Sequence, residues 1–381
     1  MLYTISDYIK KNTKNIIYIY YFIAMFSFFV PGQYVSIVFP IRKLVPLLGI
    51  LLIFFKGDIT LNIKKTIPFL ILYLLASANG IKKEDMIMIG ILAVLFKDDS
   101  YKFMLFNFVF LFLYLTITTP LSAAGLISGK IFNDARGLRH AFFFNHPNLF
   151  GLATIACLSS FFYICTIKQS KVFNISFVLL SIFSILFLNN IVMTRMNTIV
   201  VIVLLVCFII WLPSSNMTFL KKIIDFFNKY EHLLIIITPL LVLLMSFMFG
   251  YGLPGMDKVN HLLSGRPFLQ YNAITKYGFP LFGKNMSFTN GDGNTLYEVL
   301  DSGFISYIFN YGAVFFYYLL FSLTNLAKKV NLKKTHLIIP VLVFCLSGVT
   351  ENLLFCFVHN PFIVILVSHY LFDNQKEKLC R

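Results

Sequence analysis

The sequence predicts an all-α bundle of membrane-spanning helices, and three observations carry that prediction. Hydrophobic residues make up 58% of the 381 and charged residues only 13%, where a soluble domain carries about 25% charge. Mean hydropathy is +0.81. The apolar residues run on without the period-2 alternation of a barrel strand, many of them in stretches near the ~20 residues that one helix needs to cross a hydrocarbon core. Soluble enzymes, disulfide-stapled secreted scaffolds, disordered chains and β-barrels are excluded on these grounds. A single polytopic domain over 1–381 is expected.

Twelve apolar runs read as spans: 15–31, 35–55, 66–79, 86–96, 103–119, 148–168, 172–189, 196–212, 232–250, 302–325, 336–349 and 353–372. The first follows Lys10, Lys11 and Lys14 as a signal peptide would, but no small-residue cleavage site comes after it, so it reads as an uncleaved anchor. The third and fourth are short and suit tilted or partly buried helices. An even number of spans puts both termini on one side. The net charge of +16 comes from 32 basic and 16 acidic residues. The basic residues stand singly or in pairs with no basic–aromatic patch, which fits membrane topology and not nucleic acid. With the N-terminus inside, lysines such as Lys56, Lys97, Lys171, Lys222 and Lys328 fall in the cytoplasmic segments, so the termini are expected to be cytoplasmic. Arginines go the other way: Arg42, Arg136, Arg139, Arg195 and Arg266 fall outside.

That asymmetry directs attention to the exterior. Arginine's planar fork binds phosphate or carboxylate bidentately, whereas cytoplasmic lysine only has to be positive. Two long exterior segments are expected, 120–147 and 251–301, and loops of such length are usually functional or disordered. In the first, Asn133-Asp134-Ala135-Arg136-Gly137-Leu138-Arg139-His140 leads to Asn145-His146-Pro147-Asn148-Leu149-Phe150-Gly151. Pro147 suits the first turn of the sixth span, with Asn145 or His146 as its cap. His146 and Asn148 therefore read either as capping residues or as a surface imidazole with its partner, acting as general base or hydrogen-bonding substrate beside a helix N-terminus that attracts anions. Arg136 and Arg139 share a face if the segment is helical, which suits a diphosphate; contact with the membrane surface is the alternative.

In the second segment, the stretch from His261 to Tyr271 reads as a turn followed by an amphipathic helix started by Pro267. Arg266 then sits at the mouth of that helix beside exposed N–H groups, with Gly265 permitting close backbone approach. Arg195, at the outer end of the eighth span, either snorkels to the interface or faces a cavity. Glu298 and Asp301 precede the tenth span as helix-dipole partners or as a catalytic base. Glu351, His359 and Asn360 lie near the outer part of the last span, where a core histidine with a satisfied partner competes with substrate contact. None of the six cysteines has disulfide or metal-ligand spacing; no zinc pattern, Walker loop, Rossmann glycine pattern or nucleophile elbow is present. Energy for any reaction must then arrive with an already activated substrate.

Taken in order, Arg136 with Arg139, Asn145 to Gly151, Thr194-Arg195, Leu263-Ser264-Gly265-Arg266, Asp301-Ser302-Gly303 and Tyr311-Gly312 resemble the Wzy-type polymerases of bacterial capsule, exopolysaccharide and O-antigen synthesis, along nearly the whole chain. The O-antigen ligases look similar. The resemblance implies a GT-C-like glycosyltransferase of the bacterial cytoplasmic membrane, working at its exterior face on undecaprenyl-diphosphate-linked oligosaccharides, with no nucleotide sugar, cofactor or metal. It implies membrane lipids as surroundings, a flippase and a chain-length regulator as partners, and no nucleic acid. Under it, Arg136, Arg139, Arg195 and Arg266 stabilise the leaving diphosphate, and His146, or else Glu298 or Asp301, takes the acceptor proton. Asn148, His261, Tyr271, His359 and Asn360 complete the expected substrate contacts. A ligase, a flippase or exporter without chemistry, and an acyltransferase built on His146 are the competing readings.

Overall fold

The computed structural model describes residues 2–29, 35–56, 63–79, 83–97, 99–134, 137–212, 218–263, 265–284, 302–329, 343, 345–349, 351 and 356–372. The chain is built almost wholly of apolar helices. Among the described residues five are long and apolar enough to cross a membrane: Val38–Lys56, Ser100–Ala123, Pro147–Lys168, Lys171–Val192 and His232–Gly250. Shorter apolar helices include Asp85–Leu95, Arg195–Trp211, Ala313–Asn325 and Phe362–Leu371. Each lies on an apolar run of the sequence, as an all-α membrane protein requires. The chain divides into two compact units.

The first unit comprises Met1–Thr60, Ile87–Lys221 and Cys356–Arg381. It holds α1 (Leu2–Phe29), α2 (Val35–Lys56), most of α4 (Lys83–Leu95), α5 (Ser100–Ala123), α6 (Pro147–Lys168), α7 (Lys171–Phe187), α8 (Arg195–Trp211) and α14 (Phe362–Leu371). Helix α6 is its centre. It packs against α5, α7 and α8, and 94% of its apolar window is buried. A helix apolar all round has nowhere to go but a core. Ala153, Ala156, Ser159 and Ser160 are buried along it, and such small side chains let neighbouring helices approach closely. A buried polar chain ties three helices: Tyr21 Oη donates to Asn107 Oδ1 at 2.8 Å, Asn107 Nδ2 to Ser160 Oγ at 2.8 Å, and Ser160 Oγ to the Ala156 carbonyl at 2.8 Å. Lys56 closes the C-terminus of α4, its Nζ donating to the carbonyls of Val94 at 3.1 Å and Leu95 at 2.7 Å.

The all-helical expectation needs one correction. The segment after α5 folds as an antiparallel hairpin, β1 (Lys130–Asp134) and β2 (Gly137–Phe142), pairing Ile131 with His140, Phe132 with Arg139, Asn133 with Leu138 and Asp134 with Gly137. Gly137 has φ +100°, the backbone region that a short hairpin connection demands of glycine. Arg139 therefore lies on a strand, and the shared helical face expected for it and Arg136 does not form; Arg136 itself is outside the described residues. A π-helical turn, Leu188–Val192, ends α7 and leads through Met193 at φ +54° into α8.

The second unit, Leu61–Met86 and Lys222–Phe355, holds α3 (Ile63–Asn79), most of α9 (Thr218–Gly250), α10 (Met256–Leu262), α11 (Arg266–Tyr277), α12 (Gly303–Tyr311) and α13 (Ala313–Lys329). The run 302–325, expected as one span, is broken at Gly312, where φ is +90°. The break leaves the last carbonyls of α12 and the first N–H groups of α13 without helical partners. The segment 280–284 supplies them: Ala313 N–H donates to Pro280 O at 2.9 Å, Val314 N–H to Leu281 O at 3.2 Å, and Lys284 N–H to Phe309 O at 2.8 Å. Among the described residues of the run 353–372 the helix is Phe362–Leu371, after a turn at 357–359. Most of 336–349 is outside the described residues.

A Cβ at Gly312 would collide with the Leu281 carbonyl, whereas one at Gly90, inside α4, meets nothing within 4 Å. Gly312→Ala is therefore expected to cost about 2 kcal/mol or more, and Gly90→Ala to stabilise by up to about 1 kcal/mol. Thermal unfolding of the detergent-solubilised protein checks this, and equal midpoints for the two variants would contradict the stitched break.

Candidate functional site

In the first unit the polar residues gather where the hairpin meets the start of α6. His146 is the N-cap of that helix and Pro147 its first residue. The Asn148 N–H donates to His146 Nδ1 at 3.1 Å, and the Leu149 N–H to the His146 carbonyl at 3.0 Å. Proline has no N–H. The first three positions of α6 thus offer no amide to a ligand, and the anion attraction expected of this helix end is taken up internally. The cap also fixes the imidazole: with Nδ1 accepting, the neutral ring carries its proton on Nε2 and is a hydrogen-bond donor. Phe132 meets this ring edge-on at 5.2 Å between centroids.

Arg139 is only 3% exposed, and its Nη2 donates to Asn148 Oδ1 at 3.3 Å. From α8, Asn197 Nδ2 donates to the Asn148 carbonyl at 3.1 Å. Gly151 makes that approach possible, since a Cβ there would overlap the Asn197 amide. Asn148 is therefore held from both ends and in turn sets the Arg139 guanidinium. Lys130 Nζ donates to Asn145 Oδ1 at 3.2 Å alongside. Arg195, by contrast, is the exposed first residue of α8. Two positions before Asn197, it does not share that residue's helix face.

An apolar cavity of about 280 Å³ runs between α5, α6 and α7, with Phe112, Thr119, Phe150, Cys157, Phe183 and Phe187 in its wall. Phe150 belongs to the first turn of α6, two residues after Asn148. The Thr119 hydroxyl is buried with no hydrogen-bond partner. His359 lies in the same unit but against Phe29, 5.5 Å away, and its Nδ1 is buried without a partner. Asn360 beside it is buried.

In the second unit α11 starts at Arg266, with Gly265 at φ +81° as its N-cap and Pro267 next. The expected amphipathic helix is present, but its mouth is closed. The Arg266 N–H donates to Leu263 O at 3.3 Å, Pro267 has none, and the Phe268 N–H donates to Asn260 Oδ1 at 3.1 Å. The buried Arg266 side chain turns back, Nη1 donating to Leu263 O at 3.1 Å. Its Nη2 lies 3.8 Å from Glu351 Oε1. One turn along, the buried Gln270 accepts from Ser246 Oγ at 2.6 Å. Tyr271 packs its ring over Gly250, a helix–helix contact and not an open sugar platform. His261 is exposed on α10.

The structure so brings together Arg139, His146 and Asn148 in one cluster and Arg266 with Glu351 in another. Arg136, Glu298 and Asp301 are outside the described residues. Asn197, beside Arg195, and Glu351 have structural claims on these clusters although the sequence gives neither a site role; their signal is polarity inside or beside apolar helices. Among the described residues no three His, Cys, Asp or Glu side chains converge as a metal set. No family model matches the chain, and no curated protein or solved structure matches it.

Gly151→Ala is expected to push Asn197 off the Asn148 carbonyl and to destabilise by about 1–3 kcal/mol. Removing the obstacle in Gly151→Ala/Asn197→Ala should recover part of that loss, so that the two changes couple by roughly 1 kcal/mol in a double-mutant cycle of unfolding. Strict additivity would contradict the contact.

Proposed function

We propose that the chain is a membrane glycosyltransferase of the Wzy type, which joins undecaprenyl-diphosphate-linked oligosaccharide repeats into a surface polysaccharide. In this reading it has about twelve spans in a GT-C-like bundle, both termini cytoplasmic, and works at the exterior face of the bacterial cytoplasmic membrane. The observation that carries it is a buried arginine, Arg139, held by Asn148 in the first turn of α6, the same turn whose Phe150 lines an apolar cavity. A lipid diphosphate has both parts, an anion that suits a desolvated guanidinium and a chain that suits an apolar slot. Because both helix starts are capped from within, the anion falls to arginine side chains.

The reaction breaks the bond between the donor's anomeric carbon and its diphosphate oxygen, which leaves with the electron pair. A hydroxyl oxygen of the incoming repeat bonds to that carbon and gives up its proton. Arginines stabilise the charge gathering on the leaving group. His146, a donor at Nε2, fits a hydrogen bond to a diphosphate or sugar oxygen better than proton abstraction. A carboxylate then takes the proton; Glu298 and Asp301 are the candidates expected from sequence. An O-antigen ligase would use the same groups on a different acceptor. The helix broken at Gly312 favours a second reading, export of a lipid-linked glycan without chemistry, since transporters build sites on interrupted helices.

Deleting the gene and sizing lipid-linked glycans, with leaflet access probed by an added glycosidase, separates these readings. Single repeats accumulating on the exterior leaflet support the polymerase. Long chains stranded on lipid indicate a ligase, single repeats trapped inside indicate an exporter, and unchanged glycans sink the proposal. Arg139→Lys keeps the charge but loses the fork, and chain extension is expected to fall about 100-fold with membrane insertion intact. Polymer of normal amount and length in that variant would remove Arg139 from the site.

A further inference from the structure

The hairpin is patterned inside out. Its register puts Ile131, Asn133, Leu138 and His140 on one face and Phe132 with Arg139 on the other. The face turned into the protein is the one with the charge: Arg139 is 3% exposed and Phe132 rests on the His146 ring. On the outward face Ile131 is 62% and Leu138 60% exposed, and Leu126, just before β1, is 72% exposed. In water a two-stranded ribbon would turn its aliphatic face inward and its arginine outward. The opposite pattern is stable where the outward face meets an apolar medium.

We infer that this hairpin is a membrane-interface anchor, whose Leu126, Ile131 and Leu138 side chains insert into the lipid leaflet at that end of the first unit. Ile131 and Leu138 share that face with Asn133 and His140, and α5, which leads into the hairpin, likewise exposes Leu113 and Ile117 at 49% and 53%. Apart from the inward Arg139, the segment carries Lys130 and Arg136 against Asp134, which suits phosphate headgroups. A second copy of the chain is the poorer occupant, because three side chains fall well short of the ~800 Å² per partner of a stable interface. Depth is set by the backbone. The hairpin's open edges need water, so the strands lie in the headgroup layer and only the side-chain tips reach the acyl boundary, about 5–10 Å down at most. Arg139 is then held at the level of lipid phosphates. The anchor stands whether or not the chain is a transferase.

The single tryptophan, Trp211, permits a direct test. In a Trp211→Phe background, Ile131→Trp and Leu138→Trp variants of the full chain are placed in nanodiscs, one copy per disc, and their emission is quenched either by brominated phosphatidylcholine or by aqueous iodide. Leu126→Trp serves if either strand variant fails to fold. The anchor predicts blue-shifted emission, a loss of roughly half or more in brominated lipid, and a smaller effect of iodide. Stronger quenching by iodide overturns it. So does shielding that appears only in detergent and grows with protein concentration, which would make the face a contact between copies.

Discussion

A chain that passes most of its length through apolar surroundings must satisfy its own backbone, because hydrocarbon offers no water to do so. That constraint explains the features of this protein that a hydropathy plot does not. Where the run 302–325 breaks at Gly312, a strap of extended chain at 280–284 supplies the missing acceptors and donor. Where α6 begins, Pro147 has no N–H and the His146 side chain takes the Asn148 N–H that follows it. Where α11 begins, Asn260 reaches over from α10 to take the Phe268 N–H. The polar side chains within the core obey the same rule, as Tyr21, Asn107 and Ser160 do in bonding end to end.

Closed helix ends decide what the clusters can bind. An open N-terminus is an anion site in its own right; α6 and α11 have spent theirs on self-capping. Positive charge remains on guanidinium groups, each of which the fold holds in place. Arg139 is oriented through Asn148, and Asn148 through Asn197 across the close contact at Gly151. Arg266 is oriented through the Leu263 carbonyl and faces Glu351. Removing one partner of such a buried pair leaves an uncompensated charge, at a cost of about 3–5 kcal/mol. Loss of function in Arg266→Ala alone would therefore mix folding with chemistry, and a paired replacement of Arg266 and Glu351 by apolar residues is the cleaner probe.

Much of the helical framework was legible in the sequence because a long apolar run has one solution in a bilayer. The runs at 35–55, 103–119, 148–168, 172–189, 196–212 and 232–250 all lie on helices, and Pro147 with His146 marked the start of α6 correctly. What escaped was local backbone geometry outside that rule. The spacing of three puts Arg136 and Arg139 on one face only if the segment is helical, whereas Asp134 and Gly137 between short alternating stretches carry a hairpin signal. Gly312 was legible as a motif residue but not as a break, since a lone glycine inside an apolar run is ambiguous. Glu351 is far from Arg266 in sequence, and no periodicity links them; only the fold does.

The central claim is that the chain itself forms glycosidic bonds from a lipid-diphosphate donor. The purified protein, reconstituted in liposomes with undecaprenyl-diphosphate-linked repeats and no nucleotide sugar, tests it most directly when the lipid-linked products are sized by mass spectrometry. A polymerase yields a ladder rising by whole repeats with release of undecaprenyl diphosphate. Donor recovered unchanged from a folded, correctly inserted protein would contradict it.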